Sequence, residues 1–433
     1  MSTNKQKIGV DVGGTFTDFS CQLSDGRRLG FKIPSTPRDP SQAVIKGVVE
    51  LIENHNVDPS QIELFAHGTT VATNAVLERK GATVGLITTS GFRDVLEIGR
   101  QMRQQMYSVR LEPETPVFLA PGRRRFGVIE RVGPDGEIIT PLDEASVLKA
   151  LKSLRTQKVS SVAVALLFSF MNPLHERRIR EIILDNYPDI LVSLSSEVDP
   201  VFREYERTVV TAFDAYIKPT VDQYLSNLSN ALEDEKVGAS LQIMQSRGGL
   251  AGAETARIRP VRLFLSGPAG GVMGALSEGK INNFKDLITV DIGGTSCDIA
   301  LISDAKPLIR QEGVIDKYLV RVPMVDVNAI GSGGGSIAWL DKAGGLKVGP
   351  QSAGSEPGPA CYGRGGVEPT VTDASLVLGL IDPEYFAGGR FKLDADKAYN
   401  IILEKIANPL SLSVEEAALG IHRVLNAQMA EGI

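Results

Sequence analysis

Apolar positions along this chain recur in two ways, and the two kinds of segment alternate through most of its length. Period-two or short continuous apolar runs mark strands, and recurrence at three and four residues marks helices. Residues 8–12 and 16–23 read as two strands of a hairpin joined at Gly13 and Gly14. A helix is predicted over 43–53, a short strand over 64–66, and a helix over 70–80. That helix has Thr69 or Thr70 to cap its start and Gly81 to close it. Residues 84–88 read as a strand. Over 143–154, Val147, Leu148, Leu151 and Leu154 share one helical face. Residues 162–167 are continuously apolar, as in a central strand. A helix over 174–187 ends at Pro188. Two successive helices are predicted over 203–216 and 221–235, broken at Pro219. A strand over 241–244, a helix opening at Ser266–Gly271 and running to about Lys280, and a second hairpin over 287–291 and 297–302 complete the clear signals.

Alternating strands and helices predict an α/β protein. The 433 residues exceed one ordinary core. The expected division is an N-terminal α/β domain over 1–200, a helical bridge over 201–238 and a second domain over 239–433. The glycine-rich stretch 331–366 interleaves Ile337, Trp339, Leu340, Leu346 and Val348, so it reads as ordered loops around a site. The net charge of −6 argues against a nucleic-acid partner. No apolar run approaches the ~20 residues of a membrane helix. Cys21, Cys297 and Cys361 are scattered, with no CxxC pair, and the first residues carry no apolar signal core. A reduced, cytoplasmic protein without membrane association is expected.

The chemistry is carried by a repeat. DVGGTFTD, 11–18, returns as DIGGTSCD, 291–298. Asp11 matches Asp291; Gly13, Gly14 and Thr15 match Gly293, Gly294 and Thr295; Asp18 matches Asp298. Glycines let an anion approach backbone N–H groups, and threonine adds a hydroxyl donor. An aspartate at a strand's end suits Mg²⁺. Two such hairpins facing each other across a cleft would grip a nucleotide's phosphates, with Thr15 and Thr17 as further donors. The alternative is a pair of tight turns chosen for geometry alone. No GxxxxGK[ST] string and no dinucleotide fingerprint occurs. Gly333, Gly334 and Gly335, in AIGSGGGS, predict a backbone surface against which a nucleoside or phosphate lies; a mobile loop is the alternative. Ser266–Gly271 reads equally as an anion-binding helix start or as close helix packing. His67 reads equally as a donor or acid to substrate and as a support for the helix that follows it.

These motifs, with HGTTVATNAVLERKG (67–81), GFRDVLEIGRQ (91–101), GRRRFGVIERV (122–132), SGPAGGV (266–272) and VGPQSAGSEPGPACYGRGG (348–366), resemble the hydantoinase/oxoprolinase family. The resemblance covers essentially the whole chain. It is nearest to the A subunit of N-methylhydantoinase-type enzymes. It implies a two-domain actin-like ATPase fold of the sugar-kinase and heat-shock-protein type, with ATP and Mg²⁺ between the domains. The implied activity is ATP-dependent hydrolysis of a cyclic amide (hydantoin, 5-oxoproline or lactam) by phosphorylation of the amide oxygen. Relatives implied by the same resemblance are ketone carboxylase subunits. A B-type subunit is the implied partner, in an oligomer. Asp11 and Asp291 are the implied Mg²⁺ ligands, with Asp291 orienting or deprotonating the acceptor.

Two departures from the family pattern are visible. Cys297 stands where the first hairpin has Thr17. The family pattern also continues beyond HRVLNAQMAEGI, so a truncated C-terminal section is expected, and with it a third reading: a nucleotide-binding fold without catalysis.

Overall fold

The computed structural model describes residues 6–13, 16–36, 39–102, 107, 109, 114–316 and 318–433. The chain opens as an antiparallel meander, β1 (Gln6–Val12), β2 (Phe16–Gln22) and β3 (Arg28–Pro34). Helix α1 (Pro40–His55) begins where the Asp39 carboxylate accepts from the Ser41 N–H, and Pro40 suits the first turn. It returns the chain to β4 (Ile62–Thr69), which adds to β1 in parallel, and α2 (Val71–Leu77) follows. The strands β5 (Val84–Thr89) and β6 (Arg125–Val128) start a second sheet. Helix α3 (Glu144–Thr156), β7 (Ser161–Ala165), α4 (Leu174–Asn186) and β8 (Leu191–Leu194) finish it. It is wholly parallel, in the order β8-β7-β5-β6. Every residue of β5 and β7 is buried, as expected of strands covered on both faces.

The next element departs from expectation. Helix α5 (Glu204–Asp234) runs unbroken for 31 residues with Pro219 inside it. Proline removes one backbone donor and normally breaks a helix. Here Val209, Phe213 and Ile217 before it, and Val221, Leu225 and Leu228 after it, are buried in one core. Packing on both sides outweighs the lost hydrogen bond. The same burial corrects the expected bridge over 201–238: α5 is the backbone of the first core, with β1, β4 and β5 contributing to it. Moreover β9 (Leu241–Met244) adds in parallel to β4, and β10 (Leu250–Gly252) pairs with β9. The first sheet is therefore β10-β9-β4-β1-β2-β3, and it extends past residue 238.

Helix α6 (Ser266–Ile281) leads to a second hairpin, β11 (Leu287–Ile292) and β12 (Cys297–Ser303), with β13 (Val327–Ile330) antiparallel on β12. A separate core lies under these strands. It unites Cys297 and Ile299 with α7 (Val371–Val377) and α8 (Val414–Gly432). The architecture is mixed α/β, with each acidic hairpin on its own sheet. Among the described residues, no helix is long and apolar enough to cross a membrane.

Replacing Phe213 tests the placement of α5. Its ring is buried and packs edge-to-face on Phe264 at 6.2 Å. Phe213→Ala is expected to lower the unfolding free energy by about 3–5 kcal/mol, read by urea denaturation. A change below about 1 kcal/mol is the behaviour of an exposed linker helix.

Candidate functional site

Strand pairing decides which side chains meet. In the first hairpin Asp11 lies opposite Asp18, and Val12 opposite Thr17. In the second, Asp291 lies opposite Asp298, and Ile292 opposite Cys297. Directly paired residues point to the same face, and neighbours along a strand to opposite faces. Each hairpin therefore presents two carboxylates on one face and an apolar set on the other.

The carboxylate faces converge. A cavity of about 450 Å³ is lined by Asp11, Asp18 and Asp291 together with the start of α6, Ser266, Gly267, Gly270 and Gly271. A neighbouring cavity of about 300 Å³ is lined by Asp291 and Asp298 from one side and Pro268 and Gly271 from the other. Asp11 opens onto the first cavity but is closely walled. A Cβ at Gly68 would fall 2.6 Å from its Oδ1, and one at Gly267 would fall 3.4 Å away. The two walls are tied together, because the Ser266 hydroxyl donates to the Thr69 carbonyl at 2.9 Å. Leu265, at φ +54°, makes the left-handed turn that sets α6 in this position.

These walls and the convergence of like charges show in the acids' titration. Burial, then the charges of Asp18 and Asp291, push the Asp11 carboxyl up to about 6, with Lys32 acting in the opposite sense. Burial and Asp291 push Asp298 up to about 6. Lys32 pairs with Asp18 at 2.7 Å. Among the described residues, no three His, Cys, Asp or Glu side chains cluster as a metal cage.

The remaining expected site residues fall in several places. Gly14 and Thr15 lie outside the described residues. The Gly13 N–H closes its own turn on the Phe16 carbonyl at 3.0 Å, and the Gly293 N–H does the same on Ser296 at 2.9 Å. Those two amides are engaged within the hairpins, while Gly294 and Thr295 form the second turn's tip. The expected Thr17 donor is corrected: its side chain lies on the buried face, within 3.0 Å of the Ser35 hydroxyl. Cys297 occupies the same face of the second hairpin, buried in the α7–α8 core. The Thr17–Cys297 difference therefore lies away from the cavity.

Gly333, Gly334 and Gly335 also receive a different assignment. Their N–H groups donate to the Ser336 hydroxyl, the Gly293 carbonyl and the Gly294 carbonyl, at 2.9, 3.0 and 2.6 Å. A Cβ at Gly333 or Gly335 would come within 2.8 Å of the second hairpin's backbone. These glycines permit backbone-to-backbone packing that holds the turn, and their amides are not free for a nucleotide.

His67 is the clearest correction. It pairs with Val10, so its ring lies on the face opposite Asp11. There it is buried, with Nε2 2.7 Å from the Tyr224 hydroxyl. Burial pushes it down to about 4, and the Val10 carbonyl only weakly favours a proton. Nδ1 makes no well-formed hydrogen bond. His67 borders the cavity, but its neutral ring packs behind the sheet against Tyr224. Cys361 is buried too, and burial with the nearby Asp373 carboxylate holds its thiol far above the ordinary range.

Asp18 and Gly68 line the first cavity and Asp298 the second, and none of the three is among the expected site residues. The signal for the two acids was present: once Gly13–Phe16 is a turn, pairing places Asp11 opposite Asp18. Gly68 follows only from the parallel alignment of β4 on β1, which no local pattern specifies.

The fold and cavity define a mixed α/β protein in which two acidic hairpins and a helix start surround one pocket. The chain belongs to the hydantoinase/oxoprolinase family: the family's N-terminal-region model matches residues 7–187, and its Hydantoinase/oxoprolinase model matches 207–433. It is 39% identical to caprolactamase subunit alpha of Pseudomonas jessenii, over 100% of this chain and 63% of that protein. It is 37% identical to the acetophenone carboxylase gamma subunit of Aromatoleum aromaticum, over 98% of this chain and 60% of that protein. The crystal structure of the ATP-dependent caprolactamase from Pseudomonas jessenii superposes with a TM-score of 0.82 at 38% identity, covering 99% of this chain and 62% of that one. The chain thus spans less than two thirds of the length of these relatives.

The acids make a stability prediction. The folded pKa of Asp11, about 6, lies above its ordinary 3.8. Its ionised form therefore costs stability above pH 6, and the cost fades as pH falls toward 4. Without ligands at pH 7.5, Asp11→Asn is expected to raise the melting temperature by roughly 2 °C, and by less at pH 4.5. His67, depressed to about 4, loses its stabilising neutral form as pH falls, but equally in both proteins. A melting temperature unchanged or lowered at pH 7.5 argues against conflict among the carboxylates.

Proposed function

We propose that this chain is the nucleotide-binding part of an ATP-dependent enzyme that opens a cyclic amide. The observation that carries the reading is the convergence of Asp11, Asp18 and Asp291 on one cavity beside the start of a 16-residue helix. A buried carboxylate raised to about 6, as Asp11 is, suits a cation, and a helix start suits the anion bound to it. The fit to Mg²⁺ is chemical. With nucleotide phosphates and water completing its shell, it takes only one or two protein carboxylates, here Asp11 and Asp291. The cation would neutralise charge on the phosphates.

On this reading the fold is of the actin-like ATPase type and the hairpins are its two phosphate loops. Gly294 and Thr295 at the second turn are the candidate phosphate donors in the described part. Asp291 orients the acceptor. The amide oxygen attacks the γ-phosphorus, the bond to the bridging oxygen breaks, and ADP leaves. Water adds to the carbon that carries the phosphate, the ring C–N bond breaks as the nitrogen takes a proton and leaves as an amine, and a second water hydrolyses the acyl phosphate to carboxylate and phosphate. Transfer of this kind depends on positioning and charge stabilisation more than on covalent help from the protein. A B-type subunit acting on the activated amide is the proposed partner.

The likeness to caprolactamase subunit alpha supports a lactam or related ring as substrate class. The likeness to an acetophenone carboxylase subunit supports the second reading, ATP-dependent carboxylation of a ketone.

ATP hydrolysis, assayed with the B-type subunit against lactams, hydantoins and ketones, separates these. Stimulation by a cyclic amide is expected; its absence across the panel refutes the first reading, and bicarbonate-dependent stimulation by a ketone selects the second. Asp291→Asn is expected to lower amide-stimulated turnover by at least about 100-fold. Because Asp11 must be ionised to hold a cation and titrates near 6, kcat/KM for Mg-ATP should fall as pH drops below 6 and level off above 7. A flat profile from pH 5 to 8 contradicts that role.

A further inference from the structure

Besides its acids, the cavity of about 450 Å³ has an uncharged side. Gly9 of β1 pairs with Ala66 of β4, and Asp11 with Gly68. Gln242 of β9 pairs with Ala66, and Met244, two residues on, shares its face. Pairing therefore sets Gly9, Ala66 and Met244 on the cavity face, with Met244 two strands away from Asp11. Across the cavity from this floor lies Gly270 of α6.

Packing demands glycine at position 68, where a Cβ would strike the Asp11 carboxylate. It makes no such demand at positions 9 and 270. A Cβ at Gly9 would come no nearer than 3.9 Å to the Ser20 carbonyl oxygen, and one at Gly270 no nearer than 3.8 Å to the Met244 Cε. Neither residue has a positive φ. Glycine weakens strand and helix interiors relative to alanine, so both cost stability that no neighbour in the chain requires. What they leave is volume, in a cavity of the size that holds a small molecule.

Charge limits what enters. Asp11, Asp18 and Asp291 line the cavity, and among the described residues no lysine or arginine does. Lys32 is paired with Asp18 at 2.7 Å and lies outside the lining. His67, at the border, is neutral at pH 7 because burial pushes it down to about 4. A ligand bearing a carboxylate would meet like charges and no counter-ion. A divalent cation does not reverse this, because nucleotide phosphates bring more negative charge than it removes.

The geometry points to Gly9, Ala66, Gly270 and Met244 as the acceptor subsite. It takes a compact, uncharged cyclic amide and disfavours rings that carry a carboxylate, such as 5-oxoproline. Met244 bounds the uncharged side, so its length sets the largest ring admitted. The inference rests on the reading of this cavity as the place of phosphoryl transfer, and adds to it the class of substrate.

Two measurements test it. In the 433-residue chain without ligands, Gly9→Ala and Gly270→Ala are expected to melt between 0 and about 2 °C above the wild type. A fall of more than about 2 °C in either variant marks a glycine required by packing and overturns the subsite. In ATP hydrolysis with the B-type subunit, kcat/KM for ε-caprolactam should exceed that for 5-oxoproline by at least about 10-fold. Met244→Ala should raise the ratio of kcat/KM for an eight-membered over a seven-membered lactam by about 10-fold. 5-Oxoproline used as well as ε-caprolactam, or a ring-size ratio unmoved by Met244→Ala, overturns the subsite and leaves ATP-dependent amide opening in place. Absence of stimulation by every cyclic amide instead refutes the reading on which the subsite rests, and the subsite with it.

Discussion

The site depends on like charges held close together. Asp11, Asp18 and Asp291 face one cavity, and Asp291 and Asp298 share the next. Carboxylates left to themselves would separate into water. Strand pairing prevents this, because the residue opposite an aspartate in each hairpin is another aspartate on the same face. Burial first, and the neighbouring carboxylates second, raise Asp11 and Asp298 to about 6, and a bound cation would relieve both.

The rest of the scaffold keeps that arrangement rigid. On the first hairpin, Gly68 and Gly267 close around Asp11, and Ser266 ties the end of β4 to the start of α6. On the second, the 333–335 backbone binds the turn at 293–294, and Thr372 at the head of α7 holds the Gly334 carbonyl through both its N–H and its hydroxyl. The first acid is thus fixed through a neighbouring strand, and the second turn through a loop. α5 supplies the apolar mass beneath the first sheet, and it remains helical through Pro219 because that mass is needed on both sides.

His67 shows how function and packing separate on a sheet. It belongs to a strand whose alternate residues wall the acid cavity, yet a one-residue change of parity sends its ring to the opposite face. There it meets Tyr224. A conspicuous histidine in a conspicuous motif is thereby a structural group. The glycines at 333–335 teach the same point: they lie at the site's edge, but their amides hold protein and not ligand.

Local chemistry was legible from the sequence alone. The period-two runs, the paired DxGGT strings and the glycine turns specify two hairpins and, through the register a short turn imposes, the acids on their faces. Helix positions as far as Lys280 followed likewise, apart from the predicted break at Pro219, whereas the helices Val371–Val377 and Val414–Gly432 were not among those predicted. Tertiary structure decided what those elements meet. That β4 aligns parallel to β1, that α6 starts against Thr69, that His67 turns away and that β11 ends its sheet all depend on residues tens to hundreds of positions apart. Period and turn chemistry act over a few residues, and carry no information about which distant surface will cover a given face.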